Sequence, residues 1–249
     1  MPPTLILIRH AQALHNVSKE YTIPDPGLSE LGLRQSAELQ DHLRNKFPLA
    51  DDVELIIASP MRRTLQTAAI GFEWLIGRGT KVELNAGWQE NSDKPCDTGS
   101  PVETISPDFP LFDFSSLAAT DWPSKTSPTS PYFFSRSAVL ARGQACLADL
   151  YSRPEKVIAV VTHSGFLRTA VCARHFGNAD YRVFDFVDGG KGKDGKWELR
   201  EWEEMEKKGG GLGTSWTGPA PIEPGDFPEE EEDEEKGRIG NEATTEMPS

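Results

Sequence analysis

The chain has 249 residues, 37% hydrophobic and 26% charged, enough to bury a sizeable core, and α/β folds of this length are often single domains. Its formal net charge of -13 is uneven, because residues 209–249 carry eleven acidic and two basic side chains and leave the body at about -4. An acidic chain without a Lys/Arg stripe gains nothing from counterion release, which excludes nucleic acid as an expected partner.

The first apolar run, residues 4–8, is followed at once by Arg9-His10 and is too short for a signal segment or a membrane span. Cys96, Cys146 and Cys172 are widely spaced, form no CxxC pair and read as free thiols in a reducing compartment. The expectation is a soluble protein of the cytoplasm or nucleus, with no membrane partner.

Residues 4–8 are rich in Leu and Ile without polar alternation, as expected of a strand covered on both faces. A helix follows from an N-cap at Ser29, with Leu28 and Leu33 at staple positions and Leu39, Leu43 and Phe47 recurring every four residues. Residues 53–58 repeat the buried-strand pattern. A second helix is predicted from about Pro60 to Ile76, with Gly77 as its stop.

From 87 to 131 the pattern breaks into Pro, Ser and Asp with scattered aromatics, Trp88, Phe109, Phe112, Phe114 and Trp122 among them. So long an irregular segment reads as a packed lid. A helix over 135–151, a third apolar strand over 157–162 and a helix over 165–176 come next. Strands over 181–187 and 197–202 flank a Gly/Lys-rich turn.

Beyond residue 208 the chain turns Gly-rich, then Pro-rich, then acidic over 229–235, a composition that predicts disorder. The expected organisation is one domain over 1–208 and a tail over 209–249. Its fold class is a three-layer α/β/α architecture with a mainly parallel sheet and an inserted lid.

The strands end in chemistry. The first delivers Arg9 and His10 to its carboxyl edge, the second is followed by Ser59-Pro60-Met61-Arg62-Arg63, and the third by His163. If the strands are parallel, those residues meet where open α/β sheets place their ligand crevices. A metal site from His10, His15 and His163 is disfavoured, because adjacent arginines repel a cation and no carboxylate stands at ligand spacing. His15 either bonds locally or lines the pocket, and His42 and His175 read as surface residues.

Three words in order, Leu7-Ile8-Arg9-His10-Ala11-Gln12 with Asn16, then Ser59-Pro60-Met61-Arg62-Arg63-Thr64-Leu65-Gln66-Thr67-Ala68, then Thr162-His163-Ser164-Gly165, resemble the histidine phosphatase superfamily, whose founding members are the phosphoglycerate mutases. The resemblance runs from about Thr4 to Val187 and is closest to the small phosphatases of that superfamily. It implies a phosphoglycerate mutase-like fold and metal-free, cofactor-free hydrolysis of a small phosphorylated metabolite.

By the same resemblance His10 would be the nucleophile, and Arg9, Arg62, His163 and Asn16 would hold phosphate. Glu90 would be the general acid, with Asp93, Asp97 and Glu103 as rivals. The chemistry fits those residue types: phosphoryl transfer needs positioning and charge neutralisation, and nearby guanidinium groups keep a nucleophilic imidazole unprotonated. His163 is expected as a charged donor, backed by free N–H groups from Gly165 onward.

Two departures stand out: Ala11 replaces the usual glycine after the nucleophile, and Ser164 stands where glycine is frequent. The alternatives to a phosphatase are a mutase, for which the lid offers only Lys94 and Lys125 as extra cations, and a scaffold or recruited lyase that keeps the pocket.

Overall fold

The apolar runs become strands because each of their two faces meets its own layer of helices. In a computed structural model, which describes residues 1–229, the elements are β1 (Thr4–Arg9), α1 (Leu14–Ser18), α2 (Glu30–Lys46), β2 (Val53–Ala58), α3 (Arg62–Gly71), α4 (Glu73–Gly77) and β3 (Lys81–Leu84). They continue with α5 (Val102–Ile105), α6 (Arg136–Tyr151), β4 (Val157–Thr162), α7 (Ser164–Phe166), β5 (Tyr181–Lys191), β6 (Trp197–Glu201) and α8 (Glu203–Lys208).

Side chains alternate across a strand, so Ile6, Ile8, Ile56 and Val161 pack with Leu39 and Leu43 of α2 and Leu65 of α3. Leu5, Leu7, Ile57 and Val160 face the other way, onto Val139, Leu147 and Leu150 of α6. That double covering removes the need for polar residues on either face.

The six strands run in the order β3-β2-β4-β1-β5-β6. The first four are parallel, and β5 and β6 continue the sheet antiparallel. The register pairs Arg9 with Thr162 and Ala58 with Val161. His10, Ser59 and His163 therefore leave the sheet side by side, with the His10 N–H donating to Thr162 O at 2.9 Å and the Ser59 N–H to Val161 O at 3.0 Å.

Ser29 caps α2, its hydroxyl accepting from the Gly32 N–H, and Ser135 caps α6 likewise through Ala138. The helix expected over 60–76 instead begins at Arg62 and breaks at Phe72, whose backbone (φ -123, ψ 19) leaves the helical region while its ring is buried and stacks on Trp74. The helix expected over 165–176 is shorter: α7 runs into a π-helical stretch, Leu167–Cys172, that stops at Ala173 with φ 50. Strand β3 escaped the periodicity because it is a short edge strand with only Leu84 buried.

The tail prediction also needs correcting over 209–229, which lies against the body. The buried Asp180 carboxylate accepts from the N–H groups of Leu212 and Thr214 and the hydroxyls of Thr214 and Ser215. Gly211 N–H donates to Tyr181 O at 2.8 Å and Ala220 N–H to Ala173 O at 2.8 Å, while Arg168 pairs with Asp226. Glycine permits this approach, since a Cβ at Gly211 would overlap the Tyr181 ring. Buried hydrogen bonds thus hold a segment that composition alone marks as disordered. The acidic run from residue 230 onward lies outside the described residues.

Segment 87–131 contains only short helical turns, and its aromatics Trp88, Phe109, Phe112, Phe114 and Trp122 are all buried. Most of them join the layer under α2 and α3. Among the described residues no helix is long and apolar enough to cross a membrane.

Candidate active site

At the carboxyl edge of β1 and β4 a cavity of about 160 Å³ is lined by Arg9, His10, His15, Asn16, Arg63 and Glu90, with Tyr21, Cys96, Asp97 and Ser164 completing the wall. The His10 and His163 rings lie 5.2 Å apart, centroid to centroid, as the parallel register requires.

The orientation of His10 follows from its two neighbours. Its Nδ1 lies 2.7 Å from Ala11 O, an acceptor only, so Nδ1 carries the proton and Nε2 keeps its lone pair. That lone pair accepts from Arg63 Nε at 3.2 Å. Burial first, then the charges of Arg63 and Arg9, hold the pKa of His10 well below the usual imidazole range.

The guanidinium beside His10 is that of Arg63, and the expectation for Arg62 is corrected. On α3, Arg62 and Gln66 form the partly exposed stripe, whereas Arg63 and Thr67, also four apart, form a buried one. Arg62 turns outward to Asp108. Arg63 donates to Cys96 O at 2.6 Å and to Asp97 Oδ1 at 3.1 Å, while Thr67 Oγ1 accepts from the Ala11 N–H. The signal available in the sequence was the helical spacing of Arg63 and Thr67, four residues apart on one face.

Arg9 donates to Phe176 O at 2.8 Å, and its Nε is buried without a partner among the described residues. His163 lies 2.9 Å from Ser59 Oγ through Nε2, and its Nδ1 is likewise buried and unpartnered among the described residues. Burial, then Arg63 and His10, push the pKa of His163 well down, so the protein's own field favours the neutral ring. A charged His163 requires the negative charge of a bound anion to reverse that balance.

Glu90 reaches the same cavity from the loop side. Oε1 accepts from the N–H groups of Asn91 (2.9 Å) and Phe166 (2.8 Å), and Oε2 from Gly165 (3.1 Å). The N–H groups after His163, expected to face an anion, are thus taken up by this carboxylate. A Cβ at Gly165 would come within 2.5 Å of Glu90 Oε1, which is why a glycine stands there. Burial, then the neighbouring Asp97, raises the pKa of Glu90. Asp97 also lines the cavity, whereas the rivals Asp93 and Glu103 are not part of its wall.

Asn16 lines the cavity but spends its amide locally, Oδ1 accepting from Ala13 N–H at 3.0 Å and Nδ2 donating to His15 Nε2 at 2.9 Å. The methyl of Ala11 is buried in the apolar layer under α2 and α3, so the departure from glycine does not narrow the cavity. Ser164 does face it.

The family model of the histidine phosphatase superfamily, branch 1, matches residues 5–188. A phosphoglycerate mutase-like protein of Arabidopsis thaliana is 35% identical over 201 residues, covering 66% of this chain and 72% of the relative. A protein of Schizosaccharomyces pombe named as a probable phosphatase is 32% identical over 170 residues, covering 66% of this chain and 76% of its own. Among solved structures, one titled Mycobacterial hydrolase 1 shares the fold with a TM-score of 0.50 at 21% identity, over 80% of this chain and 97% of that one. With most of its length inside the family model and these relatives beside it, the chain belongs to branch 1 of the histidine phosphatase superfamily.

Proposed function

We propose that the protein is a phosphatase that hydrolyses a small phosphomonoester in two in-line steps through a phosphohistidine on His10. The observation that carries this reading is the fixed tautomer of His10, with Nδ1–H held by Ala11 O and the Nε2 lone pair on the cavity side, where it accepts from Arg63 Nε until a phosphoryl group takes over that guanidinium. The cavity is small beside the ~300–1,000 Å³ of ordinary small-molecule sites, which suits a phosphoryl group on a compact leaving group.

In the first step Nε2 bonds to phosphorus as the ester P–O bond breaks, and Glu90 gives its proton to the leaving oxygen to release the alcohol. Glu90 Oε2 accepts only one backbone N–H, which leaves it room for that proton. In the second step water attacks the phosphohistidine, Glu90 takes the water's proton, the P–N bond breaks and inorganic phosphate leaves. Arg9 and Arg63 on the cavity wall neutralise the equatorial oxygens, the work a metal ion does elsewhere, and His163, its ring 5.2 Å from that of His10, supplies a further donor once the anion is bound.

A mutase would need further cations for a second acidic group. Lys125 is buried and spends its ammonium on the carbonyls of Glu90, Ser92 and Asp97, and Lys94 sits over the Tyr21 ring, 4.9 Å from its centroid. The acidic Asp97 stands on the cavity wall instead. Hydrolysis is therefore the better reading.

The test is phosphate release across a panel of phosphorylated metabolites, with and without a chelator, alongside rapid alkaline quenching to trap labelled protein. Wild type should release phosphate, keep its rate with chelator and carry a base-stable, acid-labile label that His10→Ala lacks. Turnover retained by His10→Ala would overturn the covalent route.

A further inference from the structure

Helix α1 is inverted relative to ordinary amphipathic helices. Its apolar Leu14 and Val17 are 47% and 63% exposed, whereas His15 is 5% exposed. Hydrophobic packing cannot explain that choice, because it would bury the leucine or the valine in place of an imidazole.

The tautomer of His15 follows from the bonds around Asn16. The Ala13 N–H donates to Asn16 Oδ1, which identifies the other end of that amide as the NH₂ group. The NH₂ group donates to His15 Nε2, so Nε2 holds a lone pair and the proton sits on Nδ1. That Nδ1 is buried with no partner among the described residues, in a ring that lines the cavity 6.2 Å from the ring of His10.

A buried N–H donor without an acceptor is costly and calls for a ligand that supplies one. The same cavity wall carries Arg9 and Arg63 against Asp97, which is paired with Arg63, and Glu90, whose pKa is raised toward its neutral form, a balance that favours an anion as that ligand. We infer that His15 is a further substrate-binding residue, a neutral imidazole whose Nδ1–H donates to a phosphoryl oxygen, with Asn16 as the residue that positions it. Burial and the nearby Arg63 hold the pKa of His15 down to about 4, which keeps the ring a neutral donor that does not repel the arginines. The phosphate contact expected of Asn16 thus passes to its neighbour.

This inference rests on the cavity being a phosphomonoester site, and its test is a binding measurement so that it can fail separately from turnover. The full chain is titrated with inorganic phosphate, by calorimetry and by long-range ¹H–¹⁵N spectra of the histidine rings, as wild type, His15→Phe and His15→Gln. The expected results are an Nδ1-protonated His15 whose Nδ1 resonance moves on phosphate addition, about tenfold weaker phosphate binding in His15→Phe, and partial recovery in His15→Gln, which restores an N–H donor.

A merely structural histidine would lower the melting temperature without linking its Nδ1 resonance to phosphate. Should His15→Phe fail to fold, the wild-type spectra and His15→Gln still decide. Unmoved His15 resonances at saturating phosphate, in a protein that binds phosphate and releases it from esters, overturn this inference alone. Absence of phosphate binding by wild type overturns both readings.

Discussion

The sheet side of the cavity and its loop side reach comparable burial by different means. His10, Ser59 and His163 follow directly on parallel strands, and ladder bonds to Thr162 and Val161 fix their backbones. The loop facing them has no ladder. Two buried cations take its place: Arg142 of α6 donates to the carbonyls of Gly87 and Gln89 at 2.9 and 2.7 Å, and Lys125 to those of Glu90, Ser92 and Asp97 at 2.7, 2.8 and 2.5 Å. Irregular backbone can thus be buried beside the cavity when charged side chains satisfy its carbonyls, and such cations are then unavailable to a ligand.

The largest effect expected lies on the sheet side, between two adjacent arginines. Arg63→Met removes the donor to His10 Nε2 together with the ties to Cys96 and Asp97, and kcat/KM for phosphate release should fall about 10³-fold. Arg62→Met breaks a partly exposed pair with Asp108 and should change kcat/KM by less than about threefold. Equal losses in the two variants would erase the distinction between the stripes of α3.

A smaller effect, of about 10²-fold, is expected of Glu90→Gln with alkyl phosphates, and much less with aryl phosphates whose leaving oxygen needs no proton. The pH profile sharpens the assignment. The proposed role needs the acid form of Glu90, so the rate should fall as pH rises through a pKa lifted above the ordinary carboxylate range by burial and Asp97. Asp97→Asn should move that falling limb to lower pH, and Glu90→Gln should abolish it. A limb unmoved in both variants would assign the proton to another group.

The same contrast governs what could be read from the chain. Strands β1, β2 and β4 were legible because burial on both faces leaves an unbroken apolar run, and their parallel register brought His10 and His163 together as expected. The resemblance pointed to Arg62, but the helical phase of α3 exposes the stripe of Arg62 and buries that of Arg63. The placement of residues 209–229 was illegible for a different reason: Asp180, Tyr181 and Ala173 hold them from far along the chain, and no local pattern announces a buried carboxylate waiting for a glycine-rich segment. His15 was undecided in the sequence because only the Asn16 network orients its ring.

A smaller kinetic loss than those of Arg63→Met and Glu90→Gln, and the one that tests the loop side directly, belongs to Lys125→Met. The side chain is 3% exposed, so methionine fills most of its volume while three carbonyls lose their donor. Unpaired buried carbonyls predict a loss of about 3 kcal/mol in chemical denaturation. Turnover should fall only about tenfold, because the Glu90 carboxylate keeps its bonds to Gly165 and Phe166. Hydrogen exchange should quicken in residues 90–98 and stay unchanged in β1 and β4, since the strands draw nothing from Lys125. Uniform acceleration across both regions would mean that the loop and the sheet edge open as one unit, and that the buried cations stabilise the whole molecule and not the loop alone.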